Sequence, residues 1–85
     1  MALYTDGNMI IESIQFKEYN YEELYQLTKS VVGDPVIRTD NGNLTEFLTP
    51  YPVRVLESQY YVKLADNTFT SMDSSEFEST YTLIN

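Results

Sequence analysis

The chain has 85 residues, enough for one domain, with 13 acidic against 5 basic side chains and a net charge of −8. It contains no Cys, His or Trp. That composition excludes disulfide scaffolds, Cys or His metal sites, Cys–His and Ser–His catalysis, and thiol redox chemistry.

The first readable element is Met9 to Phe16, where partial alternation of Ile10, Glu12 and Ile14 with Ile11, Ser13 and Gln15 predicts a strand. Asn20 then stands as an N-cap, with Glu23 at the reciprocal capping-box position and Glu22 beside it at the positive end of the helix dipole. Leu24, Leu27 and Val31 form one apolar stripe, and Gly33 followed by Pro35 gives the stop. The spacing predicts a helix over 21–32.

Beyond the helix the pattern turns to strands. Pro35 to Thr39 and Leu44 to Leu48 flank Asp40-Asn41-Gly42-Asn43, a strong hairpin signal, and Pro50 and Pro52 break the second run. Val53–Glu57 and Tyr60–Leu64 are two more strands, and Ala65-Asp66-Asn67 turns into a strand over 68–71. Asp73 and Glu76 repeat the capping-box spacing, so a helical turn starts there and sets Phe77 and Tyr81 on one face as an anchor. Thr80 to Ile84 suits a closing strand. The predicted class is α+β, a single domain over 1–85. One helix packs on a strongly bent antiparallel sheet of about five or six short strands, verging on a barrel, with a short C-terminal helical turn.

The apolar fraction of 42% is too high for a disordered chain, and no run is long enough to span a bilayer. The first residues lack a basic region and an apolar core of the secretory kind, which predicts a cytoplasmic protein and no membrane partner. The five cations, Lys17, Lys29, Arg38, Arg54 and Lys63, are scattered, so direct DNA or RNA binding is not expected. An acidic surface instead steers a basic protein partner toward it, and it also simply keeps a Tyr-rich domain soluble. A core this small gains from burying more surface by self-association, which predicts a homodimer.

No catalytic constellation stands out. Asp40 to Asn43 lacks the further ligands of a calcium loop, and a hairpin turn accounts for it. Asp73, Glu76 and Glu78 are read as caps and solvated helix face rather than an acid–base pair. Ser74 and Ser75 have no base nearby in sequence, and capping accounts for them. No cofactor or metal is implied. The eight tyrosines are the informative feature. Tyr60 and Tyr61 point to opposite faces if they lie in a strand, which predicts one in the core and one exposed. Tyr21 and Tyr25 lie four apart on the helix, beside Glu18, Glu22 and Glu23. Three uses remain open for these rings: packing at the core margin, anchoring a protein interface, or stacking on a nucleobase with Arg38, Arg54 or Lys63 on its phosphates.

Tyr60-Tyr61-Val62-Lys63-Leu64-Ala65-Asp66-Asn67-Thr68-Phe69, followed by Glu76-Phe77-Glu78-Ser79-Thr80-Tyr81, resembles the tail of a group of small phage and prophage proteins of the PGDYG type. That tail runs roughly v-x-v-G-D-Y-I-I-x-G-x-x-G-E-f, then seven residues, then F-E-x-T-Y. Ile10 to Phe16 similarly fits the group's v-v-v-E-A-v-q-w strand, and Asn20 with Glu22-Glu23-Leu24 its n-x-e-e-i helix start. Ser58-Gln59 stand where the group has Gly-Asp, and Leu64 and Asn67 where it has turn glycines. The resemblance implies a phage origin and a fold rather than an activity, and by analogy a counter-defence role.

The reading that follows is a non-enzymatic phage accessory protein that inhibits a host protein by stoichiometric binding. Its surface would be acidic and Tyr-bearing, with Tyr21, Tyr25, Tyr60 or Tyr61 as anchors and Glu18 and Glu22 as the attracting charge. The alternative is an oligomeric sponge that traps a nucleotide second messenger between subunits, using Tyr stacking and Arg38, Arg54 or Lys63.

Overall fold

The structure, a computed structural model, describes residues 2–18, 20–40, 44–47 and 52–84. In chain order its elements are β1 (Ala2–Thr5), β2 (Ile10–Gln15), α1 (Tyr21–Val32), β3 (Ile37–Asp40), β4 (Leu44–Phe47), β5 (Val53–Leu56), β6 (Tyr60–Lys63), β7 (Phe69–Met72), α2 (Ser74–Thr80) and β8 (Thr82–Leu83). The chain is α+β, as its pattern predicts.

Helix α1 occupies its predicted span, and Leu24, Leu27 and Thr28 are its buried residues. Gly33 ends it at φ 87°, a left-handed conformation that suits glycine. Its start differs from the predicted cap. The Asn20 side chain makes no capping bond to the helix. Its Oδ1 accepts the Lys17 N–H at 2.9 Å, while Nδ2 donates to the Gln15 carbonyl and to Glu23 Oε2, both at 2.9 Å. Asn20 therefore closes the turn between β2 and α1, where Glu18 sits at φ 53°. Asp73 likewise makes no side-chain cap on α2. Its carboxylate accepts Gln59 Nε2 at 2.8 Å, and Gln59 Oε1 accepts the Leu56 N–H at 2.9 Å.

The strands form two sheets rather than one near-barrel. A five-stranded sheet has the order β7-β6-β2-β1-β8, and a three-stranded sheet the order β3-β4-β5. Every pairing is antiparallel. The barrel does not close, because β5 runs beside β7 without a ladder. The turn after β5 is fastened to the end of β2 instead: Ser58 N–H donates to the Phe16 carbonyl at 2.7 Å and Phe16 N–H to the Gln59 carbonyl at 2.8 Å. The β3–β4 hairpin pairs Ile37 with Phe47 and Asp40 with Leu44, as its flanking runs predict. The Asn41-Gly42-Asn43 turn, the break at Pro50, and Tyr19 and Tyr51 lie outside the described residues.

Strand β1 has no alternation to announce it. It is held from both sides, with Tyr4 opposite Ile11 of β2 and Leu83 of β8. Its turn into β2 is built by Asp6, whose Oδ1 accepts the N–H groups of Asn8 and Met9, both at 2.9 Å, with Gly7 at φ 99°.

The large sheet is covered on both faces. On one, Tyr61 and Phe69 pack with Phe16, Leu24, Leu27, Val53 and Val55, with Ile14 against them. On the other, Ile11, Tyr60 and Val62 receive Phe77 of α2, with Tyr4 and Tyr81 alongside. Each fully buried side chain of this size contributes about 1.5–3 kcal/mol, so the two clusters share the stabilisation. The predicted pairing of Phe77 with Tyr81 is present, with ring centroids 5.0 Å apart.

Candidate functional site

The two-sided cover corrects the expectation for the tyrosine pair. Tyr60 and Tyr61 do point to opposite faces, but both are buried. Tyr61 stacks on Phe69 at 5.2 Å and hydrogen-bonds Thr28. Tyr60 stacks on Phe77 at 4.0 Å, and its hydroxyl donates to Glu78 at 2.9 Å. Burial and the nearby Glu78 carboxylate push the Tyr60 hydroxyl up to about 12. Neither ring is free to anchor a partner by its face.

The cations expected to hold phosphate are not brought to these rings. Lys63 lies opposite Glu12 in register, and its Nζ is 3.2 Å from Glu12 Oε1. Arg38 and Arg54 are exposed on the small sheet, and register sets Glu46 between them, opposite each. Arg54 does line a crevice of about 370 Å³ at the β5–β7 seam, together with Leu56, Gln59 and Ser71, and among the described residues no tyrosine lines it.

Of the predicted tyrosine anchors, what remains accessible is the one at the start of α1. Tyr21 is 39% exposed, and Glu18, Glu22 and Glu23 are exposed around it. Tyr25, one turn on, is half-buried at the margin of the Leu24–Thr28 stripe. Glu22 Oε1 accepts a long bond from Gln26 Nε2 at 3.4 Å. This surface borders an open cleft of about 460 Å³ with Tyr4, Tyr60, Ser13 and Gln15 inside and Lys17, Asn20 and Glu23 among its lining. Sequence reading missed the cleft because it needs β1, which the pattern does not announce.

Three of the polar side chains inside the cleft are already engaged. Ser13 Oγ donates to the Tyr61 carbonyl at 3.0 Å, Gln15 Nε2 to the Ser58 carbonyl at 3.1 Å, and the Tyr60 hydroxyl to Glu78. Among the described residues the charges that line it are one ammonium, Lys17, and one carboxylate, Glu23. It is therefore not a basic, phosphate-shaped pocket. Asp73, Glu76 and Glu78 are exposed and line neither cleft. Among the described residues no group of three or more acidic, His or Cys side chains converges on a metal position, and no helix is long and apolar enough to cross a membrane. No family model, curated protein or solved structure matches the chain.

Proposed function

We propose that this chain is a non-enzymatic accessory protein of phage origin that inhibits a host protein by stoichiometric binding through the acidic, Tyr-bearing start of α1. The observation that carries the reading is the grouping of Glu18, Tyr21, Glu22 and Glu23, all exposed, beside an open cleft. A partner with Lys or Arg side chains gains long-range attraction from the carboxylates, and Tyr21 supplies an amphipathic ring to desolvate at the centre. The phage origin draws support from turn geometry. Of the three positions where the PGDYG-type pattern has glycines, Ser58 and Asn67 are left-handed, at φ 71° and 66°, and Leu64 is not. No observation favours the nucleotide sponge: Tyr60 and Tyr61 are buried, and Lys63 is paired with Glu12.

Immobilised protein incubated with bacterial host lysate tests this. The wild type should retain a basic protein at low salt and release it at high salt. A Tyr21→Ala/Glu22→Lys variant of unchanged circular dichroism should retain at least tenfold less. Equal capture by both forms, or none by the wild type, refutes the reading.

A further inference from the structure

The open cleft beside the start of α1 presents hydrogen-bond acceptors. Ser13 and Gln15, two apart on β2, share one face, with Ala2 opposite Ser13 and Tyr60 opposite Gln15. The hydrogens on this wall are turned elsewhere. Ser13 Oγ gives its proton to the Tyr61 carbonyl, and Tyr60 gives its own to Glu78. Asn20 Nδ2 donates to the Gln15 carbonyl and to Glu23 Oε2, and Gln15 Nε2 donates to the Ser58 carbonyl. The lone pairs of Ser13 Oγ, Gln15 Oε1 and Glu23 Oε1 are left over. Asn20 also holds the Glu23 carboxylate in one place, because its own Oδ1 is fixed by the Lys17 N–H. In a chain of net charge −8, a cleft walled by acceptors takes a donor-rich cation and rejects an anion.

We propose that this cleft binds the guanidinium of an arginine side chain presented by the basic partner. That a host protein carries the arginine rests on the host-binding reading; the chemistry of the site does not. A guanidinium has its donors in one plane, suited to the acceptors of Gln15 and Glu23, and its weakly hydrated face stacks on an aromatic ring. Half-buried Tyr4 lines the cleft and supplies the ring, while Ala2 and Ile14 give apolar wall for the methylene stem. A lysine ammonium has no plane to stack and gives up its hydration less readily. Lys17 is the opposing charge. It lines the cleft but is exposed, so its long stem carries the ammonium out into water when another cation enters. It competes for the same acceptors and so lowers the affinity.

Titration of isotope-labelled protein with N-acetyl-arginine amide at low ionic strength, followed by NMR, tests the site. Saturable shifts should centre on the Gln15, Asn20 and Glu23 amides, with a dissociation constant on the order of 1–10 mM for a single side chain. The citrulline counterpart, of the same shape without the charge, should bind about tenfold more weakly, and the lysine counterpart should also fall below arginine. Glu23→Gln should weaken binding about tenfold. Lys17→Gln should bind more tightly than the wild type, the reverse of what an anion site would show. The amide spectra verify that each variant is folded. Absent or displaced shifts, equal binding by the citrulline or lysine amide, an unchanged constant in Glu23→Gln, or weaker binding by Lys17→Gln each overturns the proposal. The titration contains no host protein. Tyr21 is not among the described residues lining the cleft, so Tyr21→Ala should leave this constant unchanged while reducing host capture, and the two readings fail separately.

Discussion

The hydroxyls of Thr28 and Tyr61 lie 2.7 Å apart in the buried core, and the surrounding bonds fix which one donates. Thr28 Oγ1 gives its proton to the Leu24 carbonyl at 2.9 Å, so the proton between the pair belongs to Tyr61. The two hydroxyls are therefore unequal. Tyr61→Phe leaves Thr28 still bonded to Leu24 and should cost about 0.5–1.5 kcal/mol. Thr28→Val keeps the shape but removes both bonds of the Thr28 hydroxyl, to Leu24 and to Tyr61, and should cost more, about 1–3 kcal/mol. Urea unfolding of the two variants checks the order. A larger loss for Tyr61→Phe would mean the assigned direction is wrong.

This pair also marks how far the sequence could be read. The i, i+3, i+7 stripe and the Gly33 stop were sufficient to place α1 residue for residue, because both signals are local. Alternation placed Tyr60 and Tyr61 on opposite faces for the same reason. It could not show that both faces are covered. That depends on α2 lying over one and on α1 with β5 lying over the other, contacts made by residues distant in sequence. The Asp6-Gly7 pair was a readable hairpin signal for β1, but the strand before it is four residues and carries no pattern of its own. Asn20 and Asp73 look like caps by spacing. Their side chains are claimed by Lys17 and Gln59, a competition no local rule registers.

Stability should fall in alkali through Tyr60. Burial, with the Glu78 carboxylate beside it, raises its folded pKa to about 12 from the ordinary phenol value of 10.0. The unfolded chain loses this proton first, so the unfolded state binds fewer protons between the two values. The contribution is fully present below about pH 10 and is lost as pH rises toward 12. Tyr60→Phe should flatten that part of the stability–pH curve, at the cost of about 1 kcal/mol at neutral pH for the Glu78 hydrogen bond. Urea midpoints taken from pH 8 to 11 decide it, with an unchanged slope counting against the assignment.

Asp6 makes the opposite prediction in acid. The N–H of Met9 first, and that of Asn8 second, hold its carboxyl below the usual carboxylate range. A depressed folded pKa contributes stability above the unfolded value that disappears as pH falls through the folded one. Asp6→Asn should therefore lose acid sensitivity in the β1–β2 turn. Hydrogen exchange of the Asn8 and Met9 amides, followed from pH 6 to 3, should show protection declining in the wild type and level in the variant.

The two left-handed turns differ in strain. A side chain at positive φ costs on the order of 1 kcal/mol, and Asn tolerates the region better than Ser. Ser58, at φ 71°, should therefore gain more from replacement by glycine than Asn67, at φ 66°. Ser58 Oγ makes only a local bond to the Glu57 carbonyl, so little is lost with it. Ser58→Gly should raise the melting temperature by a few degrees, about 0.5–1 kcal/mol, while Asn67→Gly stays near neutral. Equal shifts would show that backbone strain is not what separates these turns.

Phe77 is where a single change should reach furthest. It is wholly buried, stacked on Tyr60 and edge-on to Tyr4 at 4.9 Å, and it is the buried residue of α2. A seven-residue helix cannot persist by propensity alone, so α2 depends on this ring. Phe77→Ala should cost about 3–5 kcal/mol. At roughly 0.05–0.15 kcal/mol per residue, the whole chain holds only about 4–13 kcal/mol. The variant should therefore be largely unfolded or close to it, with the near-ultraviolet tyrosine signal collapsed. Phe77→Leu keeps most of the apolar volume and should stay folded, with a lowered melting temperature. If Phe77→Ala melts like the wild type, α2 is not the lid on this face of the sheet, and the cluster of Tyr4, Tyr60 and Tyr81 must be held by other means.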